Sequence, residues 1–260
     1  MKQEVAQLLV SLEKYNIAEN FSIFIPSVGR EVVFNSLTVK QQKDILKSAF
    51  DTKTAILSFI ETFNNIIAES SKEPIAFNIL DKTFIALKFK SLFFNGKTFG
   101  KDGENVQEID LEAHLKTITP TPIPTELMQS TINVGPITAE CSIPSLTYET
   151  AITKEAKAVI QDLIKDRKEE NLKEAVGELY IFEILKFIKT LKYTFNNEPV
   201  TIDMTALPLK EKASVFENLP LSLNNLIIDY IKNVRNLEKP WLQSGNVTIT
   251  IDPIFFNKTD

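Results

Sequence analysis

The chain has 260 residues, 43% of them hydrophobic and 24% charged, with a formal charge of −5. Such a composition fills a core without staples, and with no polybasic block it offers no row of cations to nucleic-acid phosphates. His114 and Cys141 are the only residues of their kinds, which excludes an internal disulfide and any cysteine-built or multi-histidine zinc site within one chain.

Met1 to Glu19 is interrupted by Glu4, Glu13 and Lys14, so it lacks the apolar run of a signal peptide. The longest greasy stretch, Leu179 to Ile188, is broken by Glu183 and Lys186 and falls short of the roughly 20 residues that span a bilayer. A soluble intracellular protein with no membrane partner is expected. Seven glycines are few, which argues against glycine-rich phosphate loops, while eighteen phenylalanines against one tryptophan supply packing surface without a polar handle.

Val5 to Tyr15 carries a weak helical pattern, so residues 1–20 read as an N-terminal arm or helix. Two strand-like runs, Phe21 to Ile25 and Arg30 to Phe34, flank Pro26-Ser27-Val28-Gly29 and predict a β-hairpin. Thr38 and Gln41 form a capping-box pattern ahead of a helix over Val39 to Phe50. Its expected apolar stripe is Val39, Leu46, Ala49 and Phe50, with Lys40, Lys43 and Lys47 elsewhere on its surface. A second helix, Lys53 to Ala68, repeats Ile56, Phe59, Ile60, Phe63, Ile66 and Ile67 at helical spacing and should pack on the first. Asp81 to Phe94 is ambiguous, since Leu87-Lys88-Phe89-Lys90 alternates like a strand; a helix running into a strand is expected.

Asn95-Gly96 and Lys101 to Asn105 are turn signals that predict a small β excursion over Lys97 to Leu111. Thr117 to Ser145 is rich in Pro and Thr, with strand candidates Thr131 to Val134 and Ile137 to Ile143. Lys154 to Tyr193 reads as helical, and a turn at Asn196-Asn197 precedes a short strand at Val200 to Asp203. Helices around Lys210 to Glu217 and Leu221 to Val234 lead to a final strand in which Val247, Ile249 and Ile251 face inward. The fold class is therefore α+β: an N-terminal β-hairpin and helices with a small β region, then a mostly helical C-terminal half. The expected divisions are residues 1–20, an α+β domain over 21–150, and a mainly helical region over 151–260 ending in a short strand.

Chemistry finds few footholds. Ser91-Leu-Phe-Phe-Asn-Gly96-Lys97-Thr98 ends like a phosphate loop but has serine where the first glycine must stand, so the letters read as a turn. His114 reads as a surface or hydrogen-bonded side chain, and Cys141, in an alternating run, as a small buried hydrophobe. Asp162 and Asp166 would share a helix face in a very polar stretch, a solvated surface rather than an acid–base pair. Lys186, Lys189 and Lys192 read as charge complementing a helix C-terminus. No catalytic residue, cofactor or metal is expected.

Ile25-Pro-Ser-Val-Gly-Arg30-Glu-Val-Val-Phe34, followed by Thr38-Val-Lys40-Gln-Gln-Lys43-Asp-Ile-Leu46, resembles the opening of the baseplate hub subunit family of T-even-like contractile-tailed phages. That family opens with a "PS-x-G" hairpin and a lysine-rich helix. Phe84 to Ser91 and Ile143-Pro-Ser-Leu146 are similar to its later segments, so the resemblance runs from about residue 20 onward. Where some members carry a Cys-x-x-Cys pair, this chain has Gly96 to Gly103, and no metal-stabilised turn is expected.

The resemblance implies a non-enzymatic structural or assembly component of the hub, working in the host cytoplasm or retained in the virion, with other hub or tail proteins as partners and oligomerisation open. The expected contact surface is Phe21, Phe24, Pro26, Val28, Gly29 and Val33 of the hairpin with Lys40, Lys43 and Lys47 of the following helix. An adaptor or chaperone unrelated to phage is the alternative, and an enzyme of unrecognised type ranks last.

Overall fold

Phenylalanine packing organises the protein's interior, as a computed structural model of the chain shows. The structure describes residues 7–8, 20–51, 54–165, 169–195 and 198–257. The helical pattern of Val5 to Tyr15 therefore lies outside the described residues except for Gln7 and Leu8, as does the turn at Asn196-Asn197.

Strands β1 (Asn20–Ile25) and β2 (Arg30–Asn35) form the predicted hairpin, pairing Phe21 with Phe34 and Ile23 with Val32. Alternation sends Ile23, Ile25, Val32 and Phe34 into the core. Helix α1 (Val39–Ser48) starts on the predicted capping box: Thr38 Oγ accepts from Gln41 N at 3.2 Å while Thr38 N donates to the Gln41 side chain at 3.0 Å. Its expected apolar stripe is corrected. Val39 is 80% and Phe50 72% exposed, and the inward positions are Ile45 and Ser48, with Leu46 packed alongside. So short a helix touches the core along one narrow line, and its ends overhang.

Helix α2 (Ala55–Ser70) buries Phe59, Phe63, Ile66 and Ile67 and packs on α1 as expected, but its Ile56 faces solvent. Helix α3 (Ile79–Phe93) corrects the helix-into-strand reading: it is helical throughout. The alternation at 87–90 misled because α3 touches β1, α2 and later helices and buries residues all round, leaving no polar face to set a period. Phe89 meets Phe21, Phe34, Phe63 and Phe93 at centroid distances of 5.8–6.0 Å, and Phe63 meets Phe256 at 5.2 Å.

The chain turns at Asn95 and Gly96, both with positive φ, into the hairpin β3 (Lys97–Asp102) and β4 (Asn105–Asp110). Helix α4 (Leu111–Thr117) and the short α5 (Thr125–Met128) lead to a second hairpin, β5 (Gln129–Val134) and β6 (Ile137–Ser142). Helices α6 (Leu146–Leu163) and α7 (Glu169–Leu185) follow. The helical reading to Tyr193 ends early, because Ile188–Phe195 is strand β7, paired with β6 and with β8 (Glu198–Asp203). Leu191 is buried at β7 while Lys192 and Thr194 are exposed, a period of two inside what looked helical.

Helices α8 (Leu209–Glu217), α9 (Leu221–Asn236) and α10 (Lys239–Leu242) precede β9 (Gln243–Ser244) and β10 (Val247–Ile249). The larger sheets run β4-β3-β10-β9 and β5-β6-β7-β8, all antiparallel. Strands from both sides of residue 150 thus share each of them. The fold is α+β, with the N-terminal hairpin ahead of the helices. No described helix is long and apolar enough to cross a membrane.

Candidate protein-contact surface

The hairpin and α1 are held by local chemistry. Gly29 takes φ +66°, a conformation that suits glycine, and the amides of Val28 and Gly29 donate to Ile25 O at 3.2 and 2.9 Å to close the turn. Ser27 N donates to Asp81 Oδ1 at 2.9 Å, while the other oxygen of Asp81 accepts from Asn78 N at 2.8 Å. One buried carboxylate thus caps α3 and anchors the hairpin turn. At the exposed edge Arg30 meets Glu73 at 2.6 Å, which raises the guanidinium pKa and lowers that of the carboxyl.

The nine expected contact residues divide by exposure. Phe21 turns inward, its ring 5.3 Å from Phe93 and 5.9 Å from Phe34, and Pro26 is buried with its carbonyl accepting from Ile123 N at 3.0 Å. Pro26 is a packing residue, a correction that follows from the 120s segment crossing the turn, while Phe21 is half-buried with its ring against the core. Phe24 and Val33 are half-buried on the outer face; Val28 and Gly29 are exposed at the turn, and Lys40, Lys43 and Lys47 are exposed on α1. Lys40 and Lys47 also line a groove of about 610 Å³ between α1 and α2, shared with Asp44, Asp51, Glu69 and Lys157.

The remaining candidates fall inside. His114 is buried on α4, its Nε2 bonded to Trp241 O at 2.8 Å. Cys141 is buried on β6, and burial pushes its thiol up to about 12. Asp162 is exposed and paired with Lys165 at 2.6 Å, while Asp166 lies outside the described residues. The phosphate-loop look-alike at Ser91 to Thr98 runs from the end of a helix into a strand, the reverse of the order a phosphate loop requires.

Sequence reasoning missed a charge network that runs from the buried Glu149 and Lys186 out to the half-exposed Glu183 and Arg235. Lys186 does follow the end of α7, but its ammonium turns inward, 3.1 Å from Glu149 and 2.8 Å from Glu183, while Lys189 and Lys192 lie on β7 and not at a helix end. Glu149 also takes Lys82 and, at 3.0 Å, the Asn64 side-chain amide. Glu183 reaches Arg235 at 3.5 Å, Arg235 reaches Glu238 at 3.3 Å, and Thr83 donates to Glu238 at 2.7 Å. Burial alone would raise the Glu149 pKa, but the ammonium groups of Lys82 and Lys186 outweigh it and hold the carboxyl well below its usual range. Three carboxylates match three cations across α2, α3, α6, α7 and α9, which makes the cluster a clamp between helices. The available signal was Glu183 and Lys186, three apart within an otherwise apolar run.

Among the described residues no group of His, Cys, Asp and Glu is arranged to hold a metal ion. Comparison with protein-family models, curated proteins and solved structures found no match.

Proposed function

We propose that the chain is a non-enzymatic component of the baseplate hub of a contractile-tailed phage, acting through protein–protein contacts during assembly in the host cytoplasm. The observation that carries this reading is the disposition of residues 25–46. The segment whose letters resemble the family's opening presents Val28 and Gly29 at a surface turn and Lys40 and Lys43 on a surface helix, with Lys47 directly after the segment on the same helix. Two further facts are in keeping with it. The side chains best suited to acid–base or nucleophilic work, His114 and Cys141, are committed to the interior. Large apolar side chains at Val39, Phe50 and Ile56 are left in solvent around the same helix.

Co-expression of the full chain with the tail and hub genes of the same genome, followed by size-exclusion chromatography, tests the reading. A stable complex with a hub or tail protein is expected. A monomer that binds none of them overturns it, and capture of an ordinary host protein instead would favour the adaptor or chaperone.

A further inference from the structure

The exposed face of α1 brings three lysines and an exposed phenylalanine together. At about 100° per residue, positions 40, 43, 47 and 50 fall within an arc of about 80°, so Lys40, Lys43, Lys47 and Phe50 form one stripe beginning on the helix and ending just past it. Phe50 is 72% exposed at its end. Among the described residues none of the three lysines has an ion-pair partner, a state they share with the scattered Lys101, Lys189, Lys210 and Lys239, but Lys40, Lys43 and Lys47 lie together on one helix face.

Of the acids on the groove side of the stripe, Asp51 and Glu69 have other partners, while Asp44 stands on α1 itself between Lys40 and Lys47. Asp51 accepts from Thr54 at 2.9 Å and has Lys157 at 3.6 Å, and Glu69 accepts from Gln41 at 3.3 Å. Asp44 lines the groove beside Lys40 and Lys47, while Lys43 and Phe50 lie outside it. In a chain of formal charge −5, the stripe is a local reversal of sign ending in an aromatic anchor.

We infer that this stripe is the docking site for an acidic protein segment, carboxylates on the three lysines and an apolar side chain against Phe50. The inference rests on the protein-binding function proposed above and specifies the chemistry of its partner. Charge complementarity sets register and encounter rate, and a desolvated aromatic supplies the anchor. Nucleic acid fits less well, because three cations neutralise few phosphates and the net charge repels a long polyanion.

Fluorescence anisotropy with the full chain tests the inference. The probe is a labelled 15-residue peptide with Glu and Leu at helical spacing, set beside its Lys/Leu counterpart, a single-stranded oligonucleotide and anionic vesicles. The wild type should prefer the Glu/Leu peptide. K40E/K43E/K47E should weaken that binding by roughly 10-fold or more and gain affinity for the Lys/Leu peptide. Phe50→Ser should weaken the first without reversing the preference. All these positions are exposed, and an unchanged melting temperature certifies the fold. Equal binding by wild type and triple variant, or tighter binding of the oligonucleotide or vesicles through the same lysines, overturns the proposal.

The co-expression assay separates the two readings. A wild type that captures a tail protein while the triple variant captures it equally well sinks this site and leaves the function standing. A wild type that captures none sinks the function, and the peptide preference then still decides the chemistry of the face.

Discussion

Glu149 and Lys186 meet at 3.1 Å with side chains only 2% and 3% exposed, and Lys82 reaches the same carboxylate from α3. A buried ion pair adds little stability over a well-packed apolar pair, but removing one member strands the other charge and costs about 3–5 kcal/mol. Glu149→Gln should therefore destabilise the protein by about 3 kcal/mol at pH 7 in urea denaturation.

The pH dependence of that pair has a definite sign. The folded pKa of Glu149 lies below its unfolded value, so the stability it contributes is present above an unfolded pKa near 4.5 and is lost as pH falls toward the folded value. Glu183, also lowered, acts in the same direction. Wild type should lose stability steadily below about pH 5, and Glu149→Gln should start lower and lose less. Equal stability of the two proteins at pH 7 would show that the clamp carries no weight.

How much of this was legible depended on whether the decisive neighbour was close in sequence. The β1–β2 hairpin could be read because a Pro/Gly turn separates two alternating runs, and the α1 cap because Thr38 and Gln41 are three apart. The role of Lys186 could not, because its partner Glu149 is 37 residues away and Glu149 lies 67 from Lys82. Helix α3 lost its period for the related reason that neighbours surround it. Phe50 was assigned inward for being apolar, although its spacing from Lys40, Lys43 and Lys47 already placed it on their face.

Lys90 gives a second pH signature, of the same sign as that of Glu149 but in the alkaline range. It is fully buried, its ammonium donates to Asn257 O at 2.7 Å, and burial lowers its pKa to about 8. Between pH 8 and the ordinary value of 10.5 the unfolded chain holds a proton that the folded chain has shed, so this residue makes stability rise with pH across that window. Tyr148, raised to about 12 by burial, pulls the other way above pH 10, its ordinary value. Denaturation midpoints of wild type and Lys90→Met between pH 8 and 10 should show a steeper rise in wild type, by about 1–2 kcal/mol. Parallel curves would contradict it.

Cys141 offers a probe of global opening. With its thiol buried on β6 and its pKa about 12, almost no thiolate is present at neutral pH and reagent has no access. Modification by a chromogenic disulfide should be slow in native protein, rapid in denaturant, and accelerated in Glu149→Gln in proportion to its loss of stability. Fast labelling of the native wild type would mean that the β5-β6-β7-β8 sheet opens locally.

Gly100 tests whether the C-terminal strand belongs to the N-terminal fold. It lies on β3, paired with Ile249 of β10. A Cβ there would stand 2.4 Å from Val247 Cγ1, 2.8 Å from Ile109 Cδ1 and 2.9 Å from the backbone oxygen of Thr248. The methyl ends could rotate or shift, but the carbonyl belongs to the ladder, so relief requires β10 to move away from β3. Overpacking of this kind costs about 1–3 kcal/mol. Gly100→Ala should lower stability by that amount, and hydrogen exchange should show the loss of protection concentrated in residues 97–102 and 247–249. Gly103→Ala is the paired control: nothing lies within 4 Å of its added Cβ, but its φ of +59° makes alanine costly for backbone reasons alone. Exchange in Gly103→Ala should therefore rise around the β3–β4 turn and leave β10 protected. If Gly100→Ala behaves like that control, the steric coupling of the two strands is refuted.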